Sequence, residues 1–435
     1  MITPENMGVV VIDDDINEAT PLLDALYMNG IPVIYFTGQR EGDKRLIKNP
    51  LYGIRVVFLD LFLIPAVSNA ESQISNGISV LQNIISTSNG MFLIIAWTKH
   101  SDLMKPLDPF FKAKLKEAGF NTILLTLEKG SCQKPEPDEE GKPIYDMDII
   151  SERVKEKLQE VRAFHLFMIW EDIIRKSSSR IVNDFSGFHE FDENWDRNMV
   201  DVFIKLAEGF SGKQLAVLDD KEKTKSALFS FNSAFMDTLE SEIREYNTEN
   251  VDISFPDVPT SIDNNIIGRI NTKLLLDMNN NLTIPGNIYD YTGIETDIKK
   301  VKPSDLFDPK YYKENKKQIK SEVEYIILEI SPLCDYAQKK REICRILPGL
   351  LIPSIYGEQI RERTDYIYKS KLIKFEEKLC CLIFDFRFLA SIEPDKLKDK
   401  SPKFRLRYQL LVDIQSKLAS HINRPGVMFV ENPRV

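Results

Sequence analysis

The feature that most limits what this chain can fold into is a series of short, unbroken apolar runs in its first third. GVVVID, IPVIYF, IRVVFLDLFL, MFLIIAW and NTILLTL are separated by amphipathic stretches such as NEATPLLDALYMNG, SVLQNIIS and FFKAKLKEAG. A strand with one face in water alternates polar and apolar residues, whereas a strand apolar at every position is covered on both faces. Such strands, alternating with helices, build a parallel sheet with helices on both sides. Residues 1–135 therefore read as a doubly wound α/β domain.

Beyond that sheet the character of the chain changes twice. Residues 129–146, KGSCQKPEPDEEGKPIYD, combine Pro, Gly and charge with few apolar residues and read as a linker. From Met147 to about Arg180, apolar residues recur at helical spacing without a proline, predicting one long amphipathic helix, with further helices at 195–210 and 223–247. Residues 147–250 thus read as a helical connector. From 265 to 435, runs such as LTIPGNIYD, EYIILEI and KLCCLIFDFRFLASI, with turn signals between them, predict a β-rich, barrel-like domain, and the amphipathic run 403–423 predicts a closing helix. Cys380 and Cys381 are adjacent on an expected strand and would point to opposite faces, so one of the two is expected in the core.

At 435 residues the chain exceeds what one core supports, which agrees with several domains. Its 43% hydrophobic and 28% charged residues are those of a folded globular protein. The net charge of −9 counts against broad electrostatic binding to nucleic acid, which is not an expected partner. Cysteines at 132, 334, 344, 380 and 381 show no CxxC spacing and no even framework, which suits a reducing cytoplasm. The opening MITPENMGVVVIDDD lacks the pattern of a secretory signal, and no run of about 18 apolar residues occurs, so a membrane location is not expected.

In a doubly wound sheet, ligands bind beyond the carboxyl ends of the strands. Asp13, Asp14 and Asp15 end the first apolar run, Asp60 ends IRVVFLD, and Thr98 and Lys99 follow MFLIIAW, so all are expected at one rim. Carboxylates gathered there repel one another, and a hard divalent cation with oxygen ligands, Mg²⁺ above all, relieves the repulsion. The plainer alternative for the aspartates is a solvated strand end or a helix cap.

The order VVVIDDD, then VVFLDLFLIP with Gly77 beyond it, then LIIAWTKH resembles the response-regulator receiver (CheY-like) family, over the first third of the chain. The resemblance implies Asp13, Asp14 and Asp60 as Mg²⁺ ligands, Asp60 as the phosphoacceptor, Thr98 as the switch hydroxyl and Lys129 as the ammonium that binds phosphoryl oxygens. Two departures matter. The interval from Pro65 to Gly77 is longer than in the family and implies an inserted loop beside the acceptor. Lys129 lies further beyond Ala118 and Gly119 than the family pattern has it and precedes Gly130 rather than Pro, so Lys99 and Lys134 are rivals. Without a lysine in the pocket the domain would be a pseudo-receiver.

Elsewhere, the aromatic stripe Phe164, Phe167 and Trp170 in the expected long helix fits packing, and also a relay or homodimer element. Cys334 and Asp335 follow the apolar run EYIILEI, making them the candidate catalytic pair of the C-terminal region, with Cys344, Cys380, Cys381 and His421 as residues that only the fold could bring to them. The order of short strands there resembles the SH3-like barrels of the PemK and MazF toxins, a family that includes ribonucleases. Two functions follow as expectations. One is a cytoplasmic signalling protein, set by Asp60 phosphorylation or by a partner such as a kinase, with a C-terminal interaction or output domain, of the kind found in bacterial defence systems. The other is a receiver-regulated enzyme, a thiol hydrolase or barrel nuclease.

Overall fold

The computed structural model describes residues 8–38, 47–63, 69–99, 101–136, 144–248, 261–279, 284–292, 294, 300–337, 342–361 and 365–423. Contacts within the chain divide it into two compact units, Met1–Met199 with Phe231–Phe255, and Val200–Ser230 with Pro256–Val435.

In the first unit the apolar runs form strands β1 (Gly8–Ile12), β2 (Val33–Phe36), β3 (Ile54–Leu59), β4 (Phe92–Thr98) and β5 (Thr122–Glu128). They pair in parallel in the order β2-β1-β3-β4-β5. Because side chains alternate across a strand, each run feeds two cores. Val10, Ile12, Val57, Leu59, Ile94 and Ala96 meet helices α2 (Ala70–Ile84) and α3 (Met104–Glu117) on one face. Val9, Val11, Val56, Phe58, Ile95 and Trp97 meet α1 (Ile16–Met28), α4 (Met147–Gln159) and the start of α5 (Arg162–Ser186) on the other. Asp15, Asn69 and Asp146 cap α1, α2 and α4 by accepting backbone N–H bonds that the first turn leaves over.

Three expectations change here. The single helix expected from Met147 is two, α4 and α5, separated at Glu160 and Val161. Ile150, Val154, Phe164 and Met168 from both are buried against the sheet, so this stretch completes the α/β core. A bidentate pair from Arg55 of β3 to Glu171 of α5, at 2.6 and 2.7 Å, ties the second helix to the same sheet. Gly77, expected beyond a loop, lies inside α2 with open contact to Leu59; Pro65 lies outside the described residues. Helices α6 (Trp195–Ser211) and α7 (Asp220–Glu245) follow, and the division between the two units falls within them.

The second unit is a curled antiparallel sheet, a half-barrel. Its strands β6 (Leu276–Asp277), β7 (Asn287–Asp290), β8 (Glu324–Glu329), β9 (Cys344–Pro353), β10 (Ile367–Lys369), β12 (Lys378–Asp385) and β14 (Phe404–Leu406) run in the order β10-β12-β9-β8-β7-β14-β6. β11 (Ile373–Phe375) pairs with β12, and β13 (Ala390–Ile392) with β9. Gly349 of β9 lies opposite Phe384, where a Cβ would come within 2.5 Å of the Ile383 carbonyl oxygen, so only glycine lets the strands close there. The run 403–423 is not one helix: β14 comes first, and the helix is Tyr408–Ile422, which buries Leu410, Leu411, Ile414 and Leu418 in the sheet core. Cys380 and Cys381 do point to opposite faces, yet both are buried, because each face has its own core.

Candidate functional site

The strand order reverses at β1, which lies between β2 and β3, and such a switch point opens a crevice beyond the strand ends. Asp13 directly follows β1 and Asp60 directly follows β3. Backbone bonds continue the sheet through both, Asp13 N–H donating to the Phe36 carbonyl and Asp60 N–H to the Ile12 carbonyl, so the two carboxylates are set by the rigid sheet rather than by a loop. Each spends one oxygen locally: Asp13 Oδ1 accepts from Asp15 N–H at 3.0 Å, and Asp60 Oδ1 accepts from Phe62 N–H at 3.1 Å. The other oxygen of each turns to the same ammonium.

That ammonium is Lys129, which follows β5 and is wholly buried. Its Nζ donates to Asp60 Oδ2 at 2.7 Å, Asp13 Oδ2 at 2.8 Å and Glu18 Oε2 at 2.9 Å. Three N–H donors thus meet three carboxylates, which is the full donor capacity of a lysine. The segment opening at Lys129, read as a linker, begins instead as a 3-10 turn with Lys129 and Cys132 buried. Of the rival lysines, Lys99 pairs with the far oxygen of Glu18 and is half exposed, while Lys134 lies 3.9 Å from Asp146. Thr98 ends β4, fully buried and in register with Glu128, one residue from Lys129.

Glu18 escaped the sequence reading. It lies in the first turn of α1, where the chain re-enters the rim after the aspartates, and acidic residues favour helix N-termini. That position, five residues after Asp13, was its one visible signal. Asp14 is half-buried and close enough to Asp60 to feel its charge, but it stands outside the tight trio.

The charges act on one another strongly. Burial pushes the Asp13 carboxyl up to about 6, against the pull of Lys129 and with help from the Asp60 charge. Burial by itself would lower the Lys129 ammonium, but Asp60 and Asp13 outweigh it and hold its pKa above the ordinary value. Burial also raises Asp14, with Asp60 adding to it. For Glu18, hydrogen bonds from Lys99 and Lys129 overcome burial and lower its pKa.

Oxygens of Asp13, Glu18 and Asp60 lie within 4.8 Å of one another, a buried acidic group that can bind a metal ion. The donors suit a hard cation: they are all oxygens, and the carboxylates of Asp13, Asp14, Glu18 and Asp60 outnumber the ammoniums of Lys129 and Lys99. Among the described residues no other group of His, Cys, Asp and Glu has this convergence. The expected C-terminal candidates are not assembled into such a group. Cys334 is exposed on a short helix, Leu333–Ala337, with its sulfur 3.6 Å from Asp335, while Cys344, Cys380 and Cys381 are buried in the sheet.

No protein-family model, no curated protein and no solved structure matches this chain. Among the described residues, no helix is long and apolar enough to cross a membrane.

Proposed function

We propose that the N-terminal unit is a receiver-like module that accepts a phosphoryl group on Asp60 and passes that state to a C-terminal output unit or a protein partner. The observation that carries this reading is the contact of the buried Lys129 ammonium with Asp60 at 2.7 Å, at the switch point of a parallel sheet. In this reading an Asp60 oxygen attacks the phosphorus of a phosphodonor, such as the phosphohistidine of a kinase. The bond from phosphorus to the donor's leaving atom breaks, and its electron pair departs with the donor. Asp13, Asp14 and Asp60 would hold Mg²⁺, with Glu18 beside them, and the ion would neutralise charge on the transferring oxygens.

The chain's own residues supply the rest. Lys129 already spans Asp60 and Glu18, so a phosphoryl group on Asp60 competes with Glu18 for that ammonium. Thr98, at the neighbouring strand end, is the hydroxyl that would follow the new oxygens. Displacing Glu18 from Lys129 would leave it paired with Lys99 alone at the first turn of α1, which couples the pocket to a helix. For the output side, α5 presents Phe167 and Trp170 at the surface, where a partner or a second copy of this chain would meet them.

Full-length protein incubated with Mg²⁺ and acetyl phosphate is expected to gain about 80 Da by intact mass, and Asp60→Asn is expected to gain nothing. Wild-type protein that stays unmodified would reduce the unit to a fold that keeps the pocket without the transfer. An adduct that persists on Asp60→Asn would place the acceptor elsewhere.

A further inference from the structure

The second unit carries a helix face whose charge is opposite to that of the chain. The helix Pro309–Glu322 is anchored by Ile319, buried in one core with Phe307, Leu350 and Ile352, and Tyr311 and Tyr312 pack against the same core. Successive residues of a helix are about 100° apart. Lys310, Lys313, Lys316, Lys317 and Lys320 therefore fall within an arc of about 120°, in a row about 15 Å long, and all of them are exposed. The glutamates of the helix fall outside that arc. Glu314 lies beyond its edge, and Glu322 accepts from the Tyr356 hydroxyl at 2.8 Å and from Gln318 Nε2 at 3.1 Å.

No ammonium of this row has an ion pair or a hydrogen bond among the described residues. Lysines three and four positions apart on a helix repel one another, so the row is a repulsion that no internal partner relieves. Another lysine-rich stretch of this unit differs. There Asp395 and Asp399 are interleaved with Lys396, Lys398 and Lys400, as on an ordinary solvated surface. The row is also preorganised, because the other side of its helix is fixed in the core.

Three kinds of anionic surface could relieve the repulsion. Lysine is depleted from protein–protein interfaces, whose anchors are aromatic residues and Arg, and the row holds neither. A helix lying on a membrane pairs its basic face with an exposed apolar one, and here the apolar side is spent in the protein's own core. A phosphate backbone asks only for point charges along its length. We propose that this helix docks on the phosphate backbone of a duplex nucleic acid, without reading its sequence. Single-strand sites add aromatic rings on which bases stack, whereas Tyr311 and Tyr312 are packed against the core. The net charge of −9 confines such binding to this face and keeps it weak. The inference does not depend on the acidic pocket of the first unit.

Fluorescence anisotropy of a labelled duplex of about 20 base pairs with the full-length protein tests this, at about 50 mM NaCl in EDTA so that divalent cations do not compete for the phosphates. Binding is expected with Kd of about 100 μM or tighter, log K falling against log salt with a slope of about −3 to −4. Lys313→Gln with Lys317→Gln and Lys320→Gln should weaken it at least about tenfold and flatten the slope by about two, at an unchanged circular dichroism spectrum. The charge-matched control, Lys396→Gln with Lys398→Gln and Lys400→Gln, should leave the affinity within about twofold. If the first triple variant fails to fold, Lys317→Gln alone should flatten the slope by about one. The proposal is overturned by no duplex binding up to about 300 μM protein, by binding that the helix variants leave untouched, or by a control that weakens it as much. A single strand that binds more tightly than the duplex, or phosphatidylserine vesicles that bind where the duplex does not, would overturn it as well.

Discussion

Asp13 shows how one buried carboxyl ties the pocket to the stability of the fold. Burial holds its pKa up at about 6, against 3.8 for an ordinary aspartate. Between those values the folded chain carries a proton that the unfolded chain has lost, so stability from this group is full at acid pH and falls as pH rises through the window. The loss amounts to at most about 3 kcal/mol. Asp13→Asn is neutral throughout and lacks this slope. Denaturant titrations in EDTA at about pH 4 and about pH 6.5 should therefore show wild type losing stability relative to the variant. Parallel stabilities at the two pH values would refute the assignment. At this scale Asp13 and Asp60 were legible, because two apolar runs of one parallel sheet each end in an aspartate, which brings both to the same rim. Lys129 was named only through the receiver resemblance, with Lys99 and Lys134 as rivals, because amid KGSCQK the residues themselves read as a solvated loop; its burial is decided by carboxylates from β1, β3 and α1.

Among the elements, the hairpin joining β11 to β12 stands out. Phe375 pairs with Lys378, leaving Glu376 and Glu377 as a two-residue turn, and their φ angles are +46° and +64°. Tight hairpins need φ above zero at both positions, which Asn-Gly adopts readily and side chains with a bulky Cβ branch or stem adopt at a cost. Changing Glu376→Asn together with Glu377→Gly should raise the thermal midpoint by roughly 3–6 °C, read by differential scanning calorimetry. A fall in the midpoint would mean that the pair of the half-buried Lys374 with the exposed Glu377, at 2.6 Å, contributes more than the backbone strain costs. Helix and strand positions were mostly readable from apolar periodicity, but the break between α4 and α5 was not. Val161 interrupts no hydrophobic pattern, and no proline or glycine marks the spot.

For the whole molecule, burial in the cores of the two units settles the state of the thiols. Cys132, Cys344, Cys380 and Cys381 are buried, and Cys334 is exposed. Burial raises the Cys132 thiol and pushes that of Cys380 up to about 11, which keeps both protonated and unreactive at neutral pH. Native protein treated with a chromogenic disulfide reagent at about pH 8 should release one equivalent quickly, from Cys334, and the other four only on unfolding. Rapid release of two or more would show that a face of the sheet opens in solution.

By itself the sequence determined the parallel sheet, the helical middle and the β-rich end, and it placed Asp13 and Asp60 on one rim. Those follow from local rules, the period of apolar residues and the position of a polar residue at the end of a strand. Tertiary structure alone decided that Lys129 closes the pocket, that Glu18 joins it, and that both Cys380 and Cys381 are buried. Each of these depends on groups far apart in the chain, and whether a charge is buried or solvated is set by the partners that the fold brings within about 3 Å of it, which no local pattern encodes.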